Sequence, residues 1–201
     1  MRKRPQQQRS RRMVTLLLDA TAASLTEHGL DGATTVRIAE RAGVSVGSLY
    51  QYFDGKEALI LALMERLAEQ VAQGLKRLPL LDNSDLRQTT LAAIRFGFSM
   101  LHSSDGLYLE LVRNWHRLPT NTVADVLQQH FMELARLYFL KHYRDYPIDD
   151  LQVRMFIVAN SVLFTMVRHV SQGQSALREE QIAEGLTRMV ADYMMAPSPA
   201  R

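Results

Sequence analysis

The chain has 201 residues, 47% hydrophobic and 22% charged, a balance that suits a soluble globular protein with one large core or two small ones. It has no cysteine, which excludes disulfides, thiolate metal sites and cysteine nucleophiles. Net charge is only +3, but residues 1–56 hold nine Lys/Arg against five Asp/Glu, so the positive excess lies at the N-terminal end.

Six of those nine cations, Arg2, Lys3, Arg4, Arg9, Arg11 and Arg12, fall in the first twelve residues. Such an arm either tracks DNA phosphates and enters a minor groove, or serves as a solubilising tail. The opening turns are basic and polar, with no small-residue cleavage site of the kind a signal peptide carries. From about Ser10 to His28, Val14, Leu17, Leu18, Thr21 and Leu25 recur at helical spacing, and Gly29 ends the run. After the loop 30–33, Thr34 and Thr35 offer hydroxyls to the free amides of a second helix. Ile38, Ala39 and Ala42 share one face of it, and Gly43 stops it in a left-handed position. Val44 plugs the turn, and Ser45 caps a third helix that carries Leu49 and Phe53 inward. Two short helices joined by a tight turn predict a helix-turn-helix, whose second helix lies in the major groove of DNA.

The residue types around that second helix fit the same chemistry. Ser45, Ser48, Tyr50, Tyr52 and Lys56 supply hydroxyls, phenols and an ammonium suited to phosphates. Val46, Gly47 and Ser48 occupy its first turn, the part that approaches base edges. Gly47 lets the backbone come close, Val46 can touch a thymine methyl, and Ser48 can bond a base or a phosphate. Arg37 is the long cation within reach of a base or the backbone. Few long polar side chains stand on this helix, so DNA shape carries much of the expected specificity. Asp54-Gly55-Lys56-Glu57 reads as a capping box that opens the next helix.

At residue level, Ile38-Ala39-Glu40-Arg41-Ala42-Gly43-Val44-Ser45 and Gly47-Ser48-Leu49-Tyr50-Gln51-Tyr52-Phe53-Asp54-Gly55-Lys56-Glu57-Ala58-Leu59 closely resemble the DNA-binding domain of TetR-family transcriptional regulators. The resemblance runs without a gap over about 26 residues, Thr34 to Leu59, and more loosely back to Ser10. Two departures are mild: Leu25 stands where the family often has Phe, and Asp54 where it often has Pro. The resemblance implies phosphate contacts by Thr35, Tyr50, Tyr52 and Lys56.

Beyond Gly55 a helix is expected to about Leu78, with Leu59, Ile60, Leu63, Leu67 and Val71 on its buried face and a linker over 80–84. Further helices are expected at about 85–103, 105–116, 121–144, 149–171 and 178–195, cut by Ser103–Gly106, Pro119, Pro147–Asp149 and Gln172–Ser175. No strand signal appears. The expected fold is therefore all-α, about nine helices: an arm and helix-turn-helix domain over 1–56, a connecting helix and linker over 57–84, a regulatory domain over 85–195 and a tail over 196–201.

Met155 to Val167 is apolar nearly all round but contains Asn160, Ser161 and Thr165, and at this length cannot span a bilayer. No membrane partner is expected, and the expected compartment is the cytoplasm. A helix apolar on more than one side needs a further partner to bury it. The resemblance supplies one: a homodimer through the last two helices of each chain, placing two recognition helices on a palindromic double-stranded operator. It also implies a pocket for a small-molecule ligand, for which Phe96, Met100, Tyr108, Trp115, Phe131 and Phe164 are the named candidates. Arg113, His116 and His130 either orient a polar group of that ligand or face solvent.

Catalysis finds no support in the sequence. Dinucleotide, Walker, HExxH and G-x-S-x-G motifs are all missing, and the six histidines have no metal-ligand spacing. Neither metal nor cofactor is expected. The resemblance implies a repressor released from its operator by a small, hydrophobic ligand. The alternative is a ligand-independent regulator or activator whose C-terminal domain mainly recruits a protein.

Overall fold

Every regular element is helical among the residues that the computed structural model describes, namely 4–79, 85–103, 106–118, 120–142, 150–172 and 176–196. In chain order these are α1 (Arg4–Gly32), α2 (Thr35–Ala42), α3 (Val46–Tyr50), α4 (Lys56–Arg77), α5 (Leu86–Ser103), α6 (Leu107–Arg113), a 3-10 turn (Trp115–Arg117), α7 (Thr120–His142), α8 (Leu151–Ser171) and α9 (Glu179–Met195). Arg2 and Lys3 of the arm, the linker 80–84, the cuts at 104–105, Pro119, 147–149 and 173–175, and the tail from Pro197 lie outside the described residues.

Two boundaries differ from the sequence reading. α1 begins at Arg4 rather than near Ser10, so the arm from there onward is helical. Pro5 suits that first turn, where its missing N–H would have had no partner. At its other end α1 continues to Gly32 across a break at Gly29, whose φ of 67° and ψ of 179° only glycine adopts readily. The expected helix at 105–116 divides into α6 and the 3-10 turn, with Asn114 at the join.

The chain forms two compact units. The first takes Met1–Leu67 together with Ser104–Pro119, so the segment 104–119, expected in the regulatory part, packs with the helix-turn-helix instead. In it α1 packs on α2 and α6, and α2 on α3. Leu17, Leu25, Ile38, Leu49, Leu59 and Leu63 are fully buried there, as their helical spacing predicts. Thr21, also buried, donates its hydroxyl to the Leu17 carbonyl at 2.7 Å, which satisfies that polar group inside the core.

The second unit takes Ala68–Ser103 and Thr120–Arg201. Here α5 packs on α9, and α8 on both α7 and α9. Tyr138, Phe139, Met155, Val158, Val190 and Met194 form one core cluster. Gly97 of α5 lies against α8, where a Cβ would stand 2.7 Å from the end of the Met166 side chain. α8 spans 21 residues and contains an 18-residue window of mean hydropathy 1.3, long and apolar enough to cross a membrane by length and composition alone. The 13-residue run from Met155 underestimated it because the helix continues past both ends.

Candidate nucleic-acid interface

Both helices of the helix-turn-helix are closed by side chains the sequence provides. Thr34 sits in extended backbone (φ −111°, ψ 156°) and its hydroxyl accepts the Arg37 N–H at 3.3 Å. Gly43 is left-handed (φ 67°, ψ 31°), and its N–H and that of Val44 return to the carbonyls of Glu40 and Ala39, both at 3.0 Å. Ser45 repeats the N-cap for α3, accepting the Ser48 N–H at 3.1 Å, while the two serine hydroxyls bond each other at 2.8 Å. Leu49 then anchors α3 from inside with no exposure, and Phe53, half-buried, completes that contact.

These anchors leave one side of α3 outward. Ser45, Gly47 and Tyr50 are exposed; Thr35, Val46, Ser48, Tyr52 and Lys56 are half-buried; Arg37 is exposed. All nine predicted DNA-facing residues are in the first unit, on α2, α3, the turns on either side of α3 and the start of α4. Gly47 has no steric reason of its own to be glycine. A Cβ there would meet only Ser45 Oγ, at 3.9 Å, and the backbone is not left-handed.

The two cations of this group are held internally. Lys56 Nζ donates to the Leu30 carbonyl at 3.0 Å, and Arg37 Nη1 to the Gly32 carbonyl at 2.7 Å. The loop that receives them is gripped from the other side by α6 and the 3-10 turn. Glu110 Oε1 accepts the Leu30 N–H at 2.8 Å, and Arg117 pairs with Asp31 through both guanidinium nitrogens. Hydrogen bonding to Arg117, then its charge, holds the Asp31 carboxyl below its usual range, with the Lys56 charge adding to the effect. The sequence reading missed Asp31, Glu110, Asn114 and Arg117. No local pattern marks the set, because Glu110 and Arg117 find their partners on Leu30 and Asp31 about 80 residues away in the chain, and Asn114 only bridges those two.

The predicted ligand residues are divided between the two units. Tyr108 and Trp115 belong to the first unit, where burial pushes the Tyr108 phenol up. Phe96, Met100, Phe131 and Phe164 belong to the second. Phe96 packs over Gly74, and Phe131 lies with Leu127, Ala159 and Leu163 around a shallow surface recess that encloses no cavity. Phe164 is 63% exposed and lines no interior. Arg113 and His116 face solvent, whereas His130 bonds Glu69 at 2.8 Å.

Comparison with known proteins matches residues 17–63 to the profile of bacterial regulatory proteins of the tetR family. Those residues take in most of α1, all of α2 and α3, and the start of α4. The HTH-type transcriptional regulator BetI of Yersinia pestis (strain Pestoides F) is 34% identical over 128 residues, 54% of this chain and 64% of that protein. Residues 17–63 are thus similar to the TetR family of regulators. A second relative, BetI 2 of Chromohalobacter salexigens, is 47% identical over 51 residues, 25% of each chain. The curated relatives are thus matched over between 25% and 64% of their own length. In fold the chain is similar to the TetR family repressor AlkX from Dietzia sp. strain DQ12-45-1b, with a TM-score of 0.65 and 22% identity over 90% of this chain and 94% of that one.

Proposed function

We propose that this chain is a sequence-specific DNA-binding transcriptional regulator, a cytoplasmic repressor that grips a palindromic operator as a homodimer. Gly47 is the observation that carries the reading. A glycine inside a helix costs about 0.5–1 kcal/mol relative to alanine, and nothing within the chain uses the space it leaves. An approaching DNA backbone would use it. Around it stand the exposed Tyr50 phenol, the serine pair and Arg37, with Lys56 and Thr35 behind. Val46, Gly47 and Ser48 face base edges in this reading; Thr35, Ser45, Tyr50, Tyr52 and Lys56 hold phosphates.

Dimerisation is supported by α8, which is buried at Met155, Val158, Ala159, Met166 and Val167 on one side and exposes Val153, Phe156, Ile157 and Phe164 on another. A second copy of the chain buries that second face. Release by a small hydrophobic ligand rests on the apolar side chains of the second unit. Such a ligand acts by binding the DNA-incompetent state better than the competent one, by the free energy the operator loses.

The test is a fluorescence-anisotropy titration of full-length protein against labelled duplexes from its own gene's upstream region, at two salt concentrations. Expected is tight binding to one short palindrome with a steep salt slope, lost in Tyr50→Ala and reduced in slope by about one per site in Lys56→Ala. No binding to any genomic duplex, even at low salt, sinks the reading and leaves a protein-recruiting role.

A further inference from the structure

The loop between α1 and α2 is held on two opposite sides by residues of different purpose. Leu30, itself buried, is tied through both of its backbone polar groups: its N–H to Glu110 of α6, its carbonyl to Lys56 of α4. Gly29 breaks α1 at a φ of 67° that favours glycine, and Glu110 Oε1 lies 3.2 Å from where a Gly29 Cβ would stand. Glu110 is in turn fixed by Asn114, whose amide donates to the same oxygen at 2.9 Å while its own oxygen accepts from Arg117 at 3.2 Å. Arg117 completes the ring by pairing with Asp31 on the loop. Glu110, Arg117, Asp31 and Lys56 therefore alternate in sign around it, with Glu110 acting on Arg117 and Lys56 on Asp31 through space.

We propose that Glu110 is a positioning residue for DNA binding, fixing the loop Gly29–Gly32 so that its carbonyls present Lys56 and Arg37 to the phosphate backbone. This rests on the DNA-facing reading of those two cations. Both are long and flexible, and each is ordered by a single carbonyl of the loop. A carbonyl that shifts with its loop carries its cation with it. The charged acceptor on α6 gives the Leu30 N–H a stronger bond than a neutral group would. Loss of it frees the loop and disperses both cations over their rotamers before DNA arrives, and that ordering must then be supplied on binding.

The experiment measures operator affinity against salt for the full chain, using a labelled duplex selected by the wild-type protein. Glu110→Ala is expected to bind roughly tenfold more weakly and to lower the slope of log K against log salt by about one for each cation displaced. Glu110→Gln, whose amide oxygen can accept the same N–H, should restore most of both. On an Arg37→Ala/Lys56→Ala background, Glu110→Ala should add nothing. A weaker affinity with unchanged slope, or a loss that adds in full to that background, overturns the inference and leaves Glu110 a structural residue only. Should Glu110→Ala lack a cooperative melting transition, Arg117→Ala, at the exposed side of the ring, is expected to lower the slope in the same direction, and an unchanged slope there overturns the inference equally. A wild type that binds no duplex overturns the DNA reading itself, which is a separate result.

Discussion

Gly43 and Gly47 stand four residues apart and are glycine for different reasons. Gly43 takes a left-handed backbone that closes α2, so the turn itself requires it. Gly47 takes an ordinary helical position with open space around its Cα, so its cost must be met from outside the chain. Gly47→Ala should therefore raise stability by about 0.5–1 kcal/mol while weakening operator binding, because a methyl group would stand between α3 and the DNA backbone. Thermal melting and anisotropy on the same preparation check both halves. An alanine variant that is more stable and binds equally well would show that DNA does not come close at this position. The serine caps differ again, since Ser45 and Ser48 already satisfy each other at 2.8 Å and a phosphate would have to draw one of them away.

Between elements, exposed ion pairs link helices that the sequence alone does not pair. In the second unit, Arg95 of α5 meets Glu180 of α9, and Lys76 of α4 meets Glu133 of α7 at 2.8 Å. The hydrogen bond from Arg95 holds the Glu180 carboxyl below its usual range, and that from Lys76 does the same for Glu133. A carboxylate whose pKa is depressed in the fold gives stability that is fully present above its ordinary value and is lost as pH falls through the folded one. Melting temperatures of wild type and Arg95→Ala should thus differ by a small constant amount near neutral pH, converging below about pH 4.5. A gap that persists to pH 3 would mean that Arg95 acts by packing rather than by pairing. The helices themselves were largely legible: 85–103, 149–171 and 178–195 as read became Leu86–Ser103, Leu151–Ser171 and Glu179–Met195, because capping residues and Gly/Pro punctuation are local signals. The grouping of α6 with the helix-turn-helix was not legible, since it depends on Glu110 and Arg117 finding partners about 80 residues back. The candidate DNA-facing residues could be named because a short capped motif fixes their directions. The ligand candidates could not be placed, because composition reports that Phe164 or Trp115 is apolar and says nothing of which way it points.

At the scale of the whole molecule, α8 sets what the chain must do with its surface. Its buried face joins the core of the second unit, and Val153, Phe156, Ile157 and Phe164, at helical spacings of three, four and seven, then form a second apolar stripe that a lone chain leaves in water. On α9, Met189 is likewise exposed, and Gly185 one turn earlier has nothing within 4 Å of a built Cβ, which leaves room for another helix to come close. A second copy related by a two-fold axis would cover these positions with their own equivalents and set two α3 helices on one operator. Phe164→Glu tests this without disturbing the fold of the single chain, since the ring is 63% exposed and its replacement leaves the core intact. The wild type should be a dimer by size-exclusion chromatography with light scattering at micromolar concentration, and the variant a monomer with an unchanged helical spectrum. Uncoupling the two half-sites should also weaken operator binding by on the order of a hundredfold, because each domain then binds without the effective concentration its partner supplied. A variant that remains dimeric, or a wild type that is monomeric while binding its operator tightly, would remove the paired-helix arrangement and require another use for the exposed stripe.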